Sequence, residues 1–204
     1  MPERNSHCSY CGHAFVSGQE WPRECASCAQ ISYRNPLPVA VALLPVDGGL
    51  LVVRRDIEPR RGHLALPGGF IDHGEGWQTA VVRELHEETG IEATAENVRL
   101  FDVLSAPDGT VLIFGSLPAT TAAALPATAP TAETTGWELI DGPTELAFSL
   151  HTQVAREFFE TAARQTDAPT SRTDAPASRT DAPASRTDAP ASRTAAASAV
   201  ARPR

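Results

Sequence analysis

The chain has 204 residues, of which 42% are hydrophobic and 21% are charged, and its formal net charge at pH 7 is −8. This composition is typical of a globular protein, and because no apolar run approaches the 18 or more residues of a membrane helix, we expect no transmembrane segment. The seventeen basic residues are all arginine, which together with abundant Ala, Pro and Gly suggests a GC-rich bacterial genome.

The first predicted element is a small zinc ribbon over residues 1–35. All four cysteines of the chain lie here, in two CxxC pairs separated by thirteen residues, and Gly12 follows the first pair where a tight turn is needed. The spacing predicts a closed structural Zn²⁺ site with four thiolate ligands. These ligands are Cys8, Cys11, Cys25 and Cys28. Disulfides or free thiols are the alternative, but no signal-like segment precedes the cysteines, so we expect a cytoplasmic protein.

The charge of this segment bears on its role. Residues 1–34 carry three arginines and three glutamates, so the basic surface expected of a nucleic-acid-binding module is absent. A segment of this size buries little apolar surface, and the metal therefore supplies its folding free energy. A structural or subunit-contact role is favoured over nucleic-acid binding, and a homodimer is compatible with that role.

A β-hairpin is the next predicted element, and it opens a main domain over residues 36–164. Two apolar runs, 38–46 and 50–55, flank an Asp-Gly-Gly turn, and an Asp-Gly step is a strong hairpin signal. Two short strand pieces, 64–66 and 70–71, then bracket a Pro-Gly-Gly turn.

A helix after this glycine turn carries the densest negative charge in the chain. At about 100° per residue, Glu84, Glu87 and Glu88 share one sector of the helix. Like charges at this spacing destabilise a bare helix, and a hard divalent cation such as Mg²⁺ resolves the repulsion because it takes carboxylate oxygens as ligands. Gly90 followed by Ile91 predicts a left-handed end to the helix. The opposite side has an apolar stripe for docking onto a sheet, formed by Ala80, Val81 and Leu85.

The stretch from Gly69 to Ile91 resembles the signature box of the Nudix hydrolase family. The box reads G-x5-E-x7-R-E-(aliphatic)-x-E-E-x-G-(aliphatic), and GFIDHGEGWQTAVVRELHEETGI satisfies every position. The resemblance implies an α/β/α sandwich with a mixed sheet. It also implies a hydrolase that uses Mg²⁺ or Mn²⁺ to cleave the diphosphate of a nucleoside diphosphate linked to another group.

The resemblance further implies the ligands of the catalytic metal. Glu87 and Glu88 are metal ligands, and Glu84 is either a third ligand or the base that deprotonates the attacking water. The backbone carbonyl of Gly68 or Gly69 completes the metal shell.

Three other charged residues receive roles from the resemblance. Arg83 orients the glutamates by ion pairing, and Glu75 supports the loop that enters the helix. Glu133, in the later segment TAETTGW, is the candidate for a distant base or an additional ligand. The alternative for Glu133 is a solvated loop carboxylate without a catalytic role.

The remaining elements complete the expected sandwich. A second hairpin is predicted from 98–105 and 110–117, and a flexible loop beside the site is predicted over 118–132. A last strand at 137–140 and a terminal helix over 150–163 follow. The inward side of that helix is predicted to consist of Val154, Phe158 and Ala162.

The tail over residues 165–204 is predicted to be disordered. It contains four consecutive seven-residue units, each with a proline and without a large apolar residue. No heptad seam can therefore form, although the repeat has the period of a coiled coil.

The sequence predicts the class of the substrate but not its identity. A four-cysteine ribbon ahead of the box is similar to the NADH pyrophosphatase group, but that group's SQPWPFP motif does not occur after the box in this chain. Pro107 stands sixteen residues past Ile91, a spacing found in some ADP-ribose pyrophosphatases, although Pro-Asp-Gly is also explained as a turn. We expect a nucleotide diphosphate substrate, with ADP-ribose or NAD(H)-like molecules favoured.

A second class of function is a non-catalytic Nudix-fold regulator that senses a nucleotide. Such domains usually lose glutamates of the box, whereas Glu84, Glu87 and Glu88 are all present here. The intact box favours an enzyme.

Overall fold

The computed structural model of the protein describes residues 5–166. Of the predicted disordered tail, only the first two residues fall in this range, where they end the last helix, and the rest lies outside the described residues. Between residues 5 and 166, no helix is both long enough and apolar enough to cross a membrane.

The described part of the chain contains ten strands and two α-helices, with two single-turn 3₁₀-helices at Ala95–Asn97 and Ala122–Ala124. The first strands are β1 (Arg23–Glu24), β2 (Ile31–Ser32), β3 (Leu37–Leu43), β4 (Pro45–Val46) and β5 (Gly49–Arg55). The later strands are β6 (Leu64–Ala65), β7 (Gly68–Phe70), β8 (Arg99–Ser105), β9 (Thr110–Ser116) and β10 (Thr134–Ile140). The helices are α1 (Trp77–Thr89) and α2 (Ser149–Thr166).

Strands β3 to β10 form two four-stranded sheets. One has the order β7-β3-β9-β8, and its central pair, β3 and β9, is parallel while the other pairs are antiparallel. In the other sheet β5 is central and pairs antiparallel with β4, β6 and β10. The predicted mixed sheet is therefore confirmed.

The alternation of side chains along β3 divides the core into two layers. Ala40 and Ala42 belong to the cluster that includes Leu85 of α1, whereas Val41 and Leu43 belong to the cluster that includes Val154 of α2. Because successive side chains of a strand point to opposite faces, one helix covers each face of the sheet layer. The predicted α/β/α sandwich is confirmed, and the apolar stripe of α1 is fully buried.

Helix α1 ends as the sequence predicts. Gly90 has a left-handed backbone with φ +73°, and its N–H donates to the carbonyl of His86 at 2.7 Å. Ile91 behind it is buried. A residue with a Cβ is strained at this φ, so glycine defines where the helix stops.

The predicted first hairpin is only partly correct. Strands β4 and β5 do form a hairpin around Asp47 and Gly48, which both have positive φ. Strand β3, however, leaves this hairpin after Leu43 and pairs with β7 and β9 in the other sheet. Both faces of β3 are apolar, which suits a central strand covered on two sides, and the local turn signal determined only the short β4–β5 pairing.

The predicted glycine turn is also different in the structure. Gly68 and Gly69 lie within β7 and pair with Val41 and Ala40 of β3. A Cβ on Gly68 would stand 2.4 Å from the carbonyl oxygen of Ala40. The glycines therefore serve a close approach of two strands.

The C-terminal half follows the prediction with two changes. The second hairpin is present as β8 and β9, and the last strand begins at Thr134, three residues before the predicted start. In α2, Val154 is fully buried and Phe158 is half-buried, but Ala162 is exposed, so its predicted inward position is wrong. The core cluster that α2 joins extends only to Phe159 along this helix.

Candidate functional site

Two of the three helix glutamates are buried against the glycine strand. Glu84 is 9% exposed and Glu88 is 5% exposed. A Cβ on Gly69 would lie 2.5 to 2.7 Å from the carboxylate atoms of Glu84, so any larger residue there would displace this carboxylate. The N–H of Gly68 donates to Oε2 of Glu88 at 3.1 Å. Strand β7 and helix α1 thus meet through these carboxylates.

Arg83 holds the outer part of this cluster together. Its Nε and Nη2 donate to the two oxygens of Glu75, each at 2.9 Å. Its Nη1 donates to Glu84 at 2.7 Å and to Glu87 at 3.1 Å. Nη2 also donates to the carbonyl of Phe70 at 3.0 Å, which ties the loop before α1 to the end of β7. The guanidinium therefore contacts three of the four box carboxylates.

The cluster keeps an excess of negative charge in spite of Arg83. Burial raises the pKa of Glu88, the Gly68 N–H lowers it and the charges of Glu84 and Glu133 raise it again, and together with the charge of Arg55 the result is a pKa of about 8. Burial also raises the pKa of Glu84. Ionised carboxylates in this position are destabilised, and a bound cation would relieve them.

The three helix carboxylates do not converge on one point in the structure. Across residues 5–166, only the four cysteine sulfurs form a group of three or more metal-ligating atoms that all lie within 4.8 Å of one another. Arg83 holds Glu84 and Glu87, whereas Glu88 turns towards Gly68. The side chain of Glu87 is 56% exposed, so it can leave Arg83 for a shared cation at little cost.

The loop before β10 lies close to the carboxylates of the box. Glu133 is exposed, and its charge raises the pKa of both Glu84 and Glu88. The hydroxyl of the next residue, Thr134, donates to the carbonyl of Glu88 at 2.9 Å. The structure therefore brings Glu133 to the box, while its role as a base or ligand stays a prediction.

Two further residues of the site were missed by the sequence reasoning. The charge of Arg55, at the end of β5, lowers the pKa of both Glu88 and His151, so Arg55 lies near both groups. Arg55 and His151 line a cavity of about 610 Å³ whose wall includes Gly68 and Gly69. No local spacing links these residues, because they are brought together by contacts between distant parts of the chain.

The cysteine cluster is compact enough for one tetrahedral metal site. Sγ of Cys8 lies 3.7 Å from Sγ of Cys28, and Sγ of Cys11 lies 3.6 Å from Sγ of Cys25. Four thiolates around Zn²⁺ at 2.3 Å are separated by about 3.8 Å. None of the four is in a disulfide. The four sulfurs could therefore hold one metal ion.

The same turn is built twice to make this cluster. The carbonyl of Cys8 accepts from Gly12 N–H at 2.9 Å, and the carbonyl of Cys25 accepts from Ala29 N–H at 2.8 Å. Gly12 has φ +75° and Ala29 has φ +56°. The turn predicted at Gly12 is confirmed, and Ala29 takes the equivalent position in the second pair without the freedom of glycine.

The close packing of four thiols shifts the pKa values of two of them in opposite directions. Burial raises the pKa of Cys8, but the N–H groups of Cys11 and Tyr10 and the neighbouring thiols lower it by more. The resulting pKa is about 6. For Cys28, the N–H of Gln30 lowers the pKa, but burial and the other sulfurs raise it to about 12. One thiol ionises easily and another resists, and a cation removes this conflict.

Comparison with known proteins identifies the region around the glutamates. The sequence model of the NUDIX domain matches residues 35–161. An ADP-ribose pyrophosphatase of Methanocaldococcus jannaschii is 38% identical over 76 residues, which is 37% of this chain and 44% of that protein. An NAD-capped RNA hydrolase NudC of Edwardsiella ictaluri is 35% identical over 86 residues, which is 42% of this chain and 33% of that protein.

Similar structures agree with this match. The crystal structure of a NUDIX hydrolase from Nitrosomonas europaea aligns with a TM-score of 0.61 at 24% identity, and the alignment covers 80% of this chain and 94% of that one. This likeness concerns the fold. The matched segment spans less than half the length of the two curated relatives.

Proposed function

This chain belongs to the NUDIX domain family, and from that premise we propose that it is a metal-dependent pyrophosphohydrolase. Its substrate is a nucleoside diphosphate linked to another group, with ADP-ribose and NAD(H)-like molecules favoured because one relative is named an ADP-ribose pyrophosphatase and another an NAD-capped RNA hydrolase. The observation that carries the proposal is the pair of buried glutamates, Glu84 and Glu88, packed on a strand of glycines and flanked by Arg83.

The donor set fits a hard divalent cation, Mg²⁺ or Mn²⁺. The oxygens of Glu84, Glu87 and Glu88 and the carbonyl of Gly68 or Gly69 would hold it, and the raised pKa of Glu88 supports a need for positive charge there. When bound, such a cation neutralises the phosphoryl oxygens and makes a nearby water more acidic. Arg83 orients the carboxylates by holding Glu84 and Glu87, and Glu75 fixes Arg83 from the other side.

The reaction is the attack of water on one phosphorus. The water oxygen forms a new P–O bond, the bond from that phosphorus to the bridging oxygen breaks, and two monophosphates leave. One carboxylate accepts the proton of the water, and this base is Glu84 or Glu133. Replacing each in turn by Gln and measuring kcat against pH separates them, since loss of the base removes the acidic limb of the profile.

The four cysteines hold structural Zn²⁺ in this proposal. Two observations support it: the sulfurs of each close pair are 3.6 to 3.7 Å apart, and two equivalent turns present them. A site with four thiolates is closed and has no open position for catalysis. The ribbon therefore contributes to structure.

The test of the enzyme is a substrate panel. ADP-ribose, NADH, FAD, diadenosine polyphosphates and dNTPs are each incubated with the full chain and Mg²⁺, and monophosphate products are measured. We expect hydrolysis of at least one dinucleotide-like substrate. Binding of a nucleotide without turnover of any substrate would contradict the enzyme and favour the nucleotide-sensing regulator.

A matched pair of variants tests the ligand assignment. Glu87→Gln removes one ligand charge and is expected to lower kcat by about 100-fold or more, with the fold retained. Glu157→Gln, an exposed glutamate on α2, is the control and should keep the parent rate. Near-normal turnover of Glu87→Gln would refute its role as a ligand.

A further inference from the structure

The cavity beside β7 is built mainly from apolar side chains. It has a volume of about 610 Å³, and its wall includes Gly68 and Gly69, so it adjoins the two buried glutamates. Its apolar lining includes Val39, Phe70, Leu112, Phe148 and Leu150. A cavity of this size with apolar walls and few polar groups is typical of a small-molecule site.

His151 is the most constrained polar group of this wall. It is 5% exposed, and its Nδ1 accepts a hydrogen bond from the N–H of Leu66 at 3.2 Å. The rings of Phe114 and Phe148 meet its ring edge-on, with centroids 5.9 and 5.2 Å away. Because an amide can only donate, Nδ1 is the unprotonated nitrogen, and in the neutral ring Nε2 carries the hydrogen.

The second ring nitrogen of His151, Nε2, is left for a partner outside the chain. The hydrogen bond that the structure gives this ring uses Nδ1. In the range 5–166, Trp137 Nε1 is the single fully buried side-chain donor or acceptor without a partner, so Nε2 of His151 is open to solvent. Because His151 lines the cavity, a ligand in the cavity is the partner that could reach this donor.

Arg55 connects the cavity to the carboxylates. Its Nε donates to the carbonyl of Pro59 at 2.9 Å, and its guanidinium lies 5.2 Å from the centre of the Phe148 ring. Its charge acts on Glu88 and on His151. A molecule whose ring lies in the cavity would therefore have its attached phosphates on the side of Arg55 and the box.

We propose that this cavity binds the aromatic base of the diphosphate substrate and that Nε2–H of His151 donates to a nitrogen or carbonyl acceptor on that base. The inference rests on the proposed function and adds the part of the substrate that the box does not contact. A planar ring packs against Phe148 and the other apolar walls, and the donor of His151 selects bases with an acceptor at the matching edge. His151 is thus a substrate-binding residue.

Two substitutions separate this role from a structural one. In His151→Asn, the side-chain oxygen stands near the position of Nδ1 and keeps the bond from Leu66, but the donor in the cavity is lost. In His151→Gln, the side-chain amide reaches the position of Nε2 and restores a donor. His13→Asn, an exposed histidine of the ribbon, is the control.

The measurement is calorimetric binding of three probes without divalent cation. AMP and nicotinamide mononucleotide each carry a base, and ribose 5-phosphate carries none. We expect His151→Asn to weaken at least one of the two mononucleotides about tenfold, because an acceptor loses its donor in a buried site. Binding of ribose 5-phosphate should not change, and His151→Gln should recover most of the affinity. In turnover, His151→Asn should raise KM and leave kcat close to the parent value.

Several outcomes would overturn the inference. Parent-like binding of both mononucleotides by His151→Asn, an equal loss for all three probes, or a parent chain that prefers neither mononucleotide over ribose 5-phosphate would each do so. If His151→Asn does not fold, Phe148→Leu replaces it and must weaken the base-bearing probes alone. Binding is measured without cleavage. If the chain hydrolyses no substrate, the proposed enzyme activity is refuted, and the binding data alone still decide whether His151 contacts the base.

Discussion

The cysteine cluster and the glutamate cluster each bring like groups together, but the surrounding structure stabilises them differently. The four thiols are held by two turns and a pair of two-residue strands. The glutamates lie on a thirteen-residue helix packed on a sheet, and Arg83 already supplies one positive charge to them. We therefore expect the ribbon to depend on a metal for folding and the glutamate site to be folded without one.

This difference follows from what surrounds each cluster. Between residues 5 and 35 only Cys8, Cys25 and Ser32 are buried, so little apolar surface supports the ribbon. Around the glutamates, Ala80, Val81 and Leu85 are fully buried in the core. A catalytic site needs open metal positions and a fixed protein frame, and the core provides that frame.

The largest expected effect is the loss of the ribbon on zinc removal. A strong chelator should release one Zn²⁺ per chain and abolish amide protection in residues 5–35, because structural zinc contributes about 10–16 kcal/mol in comparable peptides. Protection in the sheets and helices should persist. Hydrogen exchange and metal analysis measure both, and Cys25→Ser should reproduce the result. If Cys25→Ser retains stoichiometric zinc, the four-thiolate site is refuted. If the ribbon amides are equally protected without metal, the ribbon does not need zinc to fold.

The next effect tests whether Arg83 replaces a metal at the glutamates. Arg83→Met should lower the free energy of unfolding by about 2–3 kcal/mol, because partly buried carboxylates lose their partner. The side chains of Glu75 and Glu84 are 12% and 11% exposed. Urea titration measures the loss, and Mg²⁺ should recover more stability in the variant than in the parent.

A surface pair of similar geometry is the control for Arg83. Arg54 and Glu138 form two contacts of 2.7 and 3.0 Å, but their side chains are 41% and 46% exposed. Arg54→Met should cost less than about 1 kcal/mol. Equal losses of unfolding free energy in the two arginine variants would show that Arg83 contributes no more to stability than a surface arginine.

A smaller effect concerns the pH dependence of the metal-free protein. The pKa of Glu88 is about 8 in the folded chain against 4.5 ordinarily, so the folded state holds a proton that the unfolded state has lost. The free energy of unfolding therefore falls as pH rises from about 4.5 through 8, by about 2 kcal/mol between pH 6.5 and 8. Glu88→Gln should flatten this slope, and thermal unfolding at several pH values measures it.

His151 acts mainly below that window. Burial lowers its pKa to about 3 from 6.5, so its contribution to stability rises slightly just above pH 6.5, where it opposes the effect of Glu88, and is lost as pH falls through 6.5 towards 3. A slope that stays unchanged between pH 6.5 and 8 in Glu88→Gln would show that another group carries it.

The smallest expected effect lies in the second cysteine turn. Ala29 has φ +56°, where an alanine is strained, so Ala29→Gly should stabilise the zinc-bound ribbon by about 0.5 kcal/mol. Gly12→Ala, at the equivalent position, should destabilise it by about 1 kcal/mol. Competition with a chelator measures both, and Ala26→Gly is the control. Destabilisation by Ala29→Gly, or stabilisation by Gly12→Ala, would mean that the two turns are not equivalent.

Some of the site could be predicted because its residues are close in sequence. The positions of Glu84, Glu87 and Glu88 follow from helical periodicity, and the left-handed end at Gly90 follows from the lack of a Cβ. Strand pairing was less predictable. The Asp-Gly turn indicated a hairpin, but β3 crosses to the other sheet, since its partners are chosen by two buried faces.

By itself the sequence determined which groups are available and how they are spaced: four cysteines in two turns, and a box of carboxylates on one helix. Helix and turn geometry is local, so these spacings already carry the chemistry. The tertiary structure decided which carboxylates are buried, why Gly69 leaves room for Glu84, and how Arg55 and His151 come to share a cavity. Those relations depend on packing between segments up to 96 positions apart, as Arg55 and His151 are, and no local pattern encodes packing at that separation.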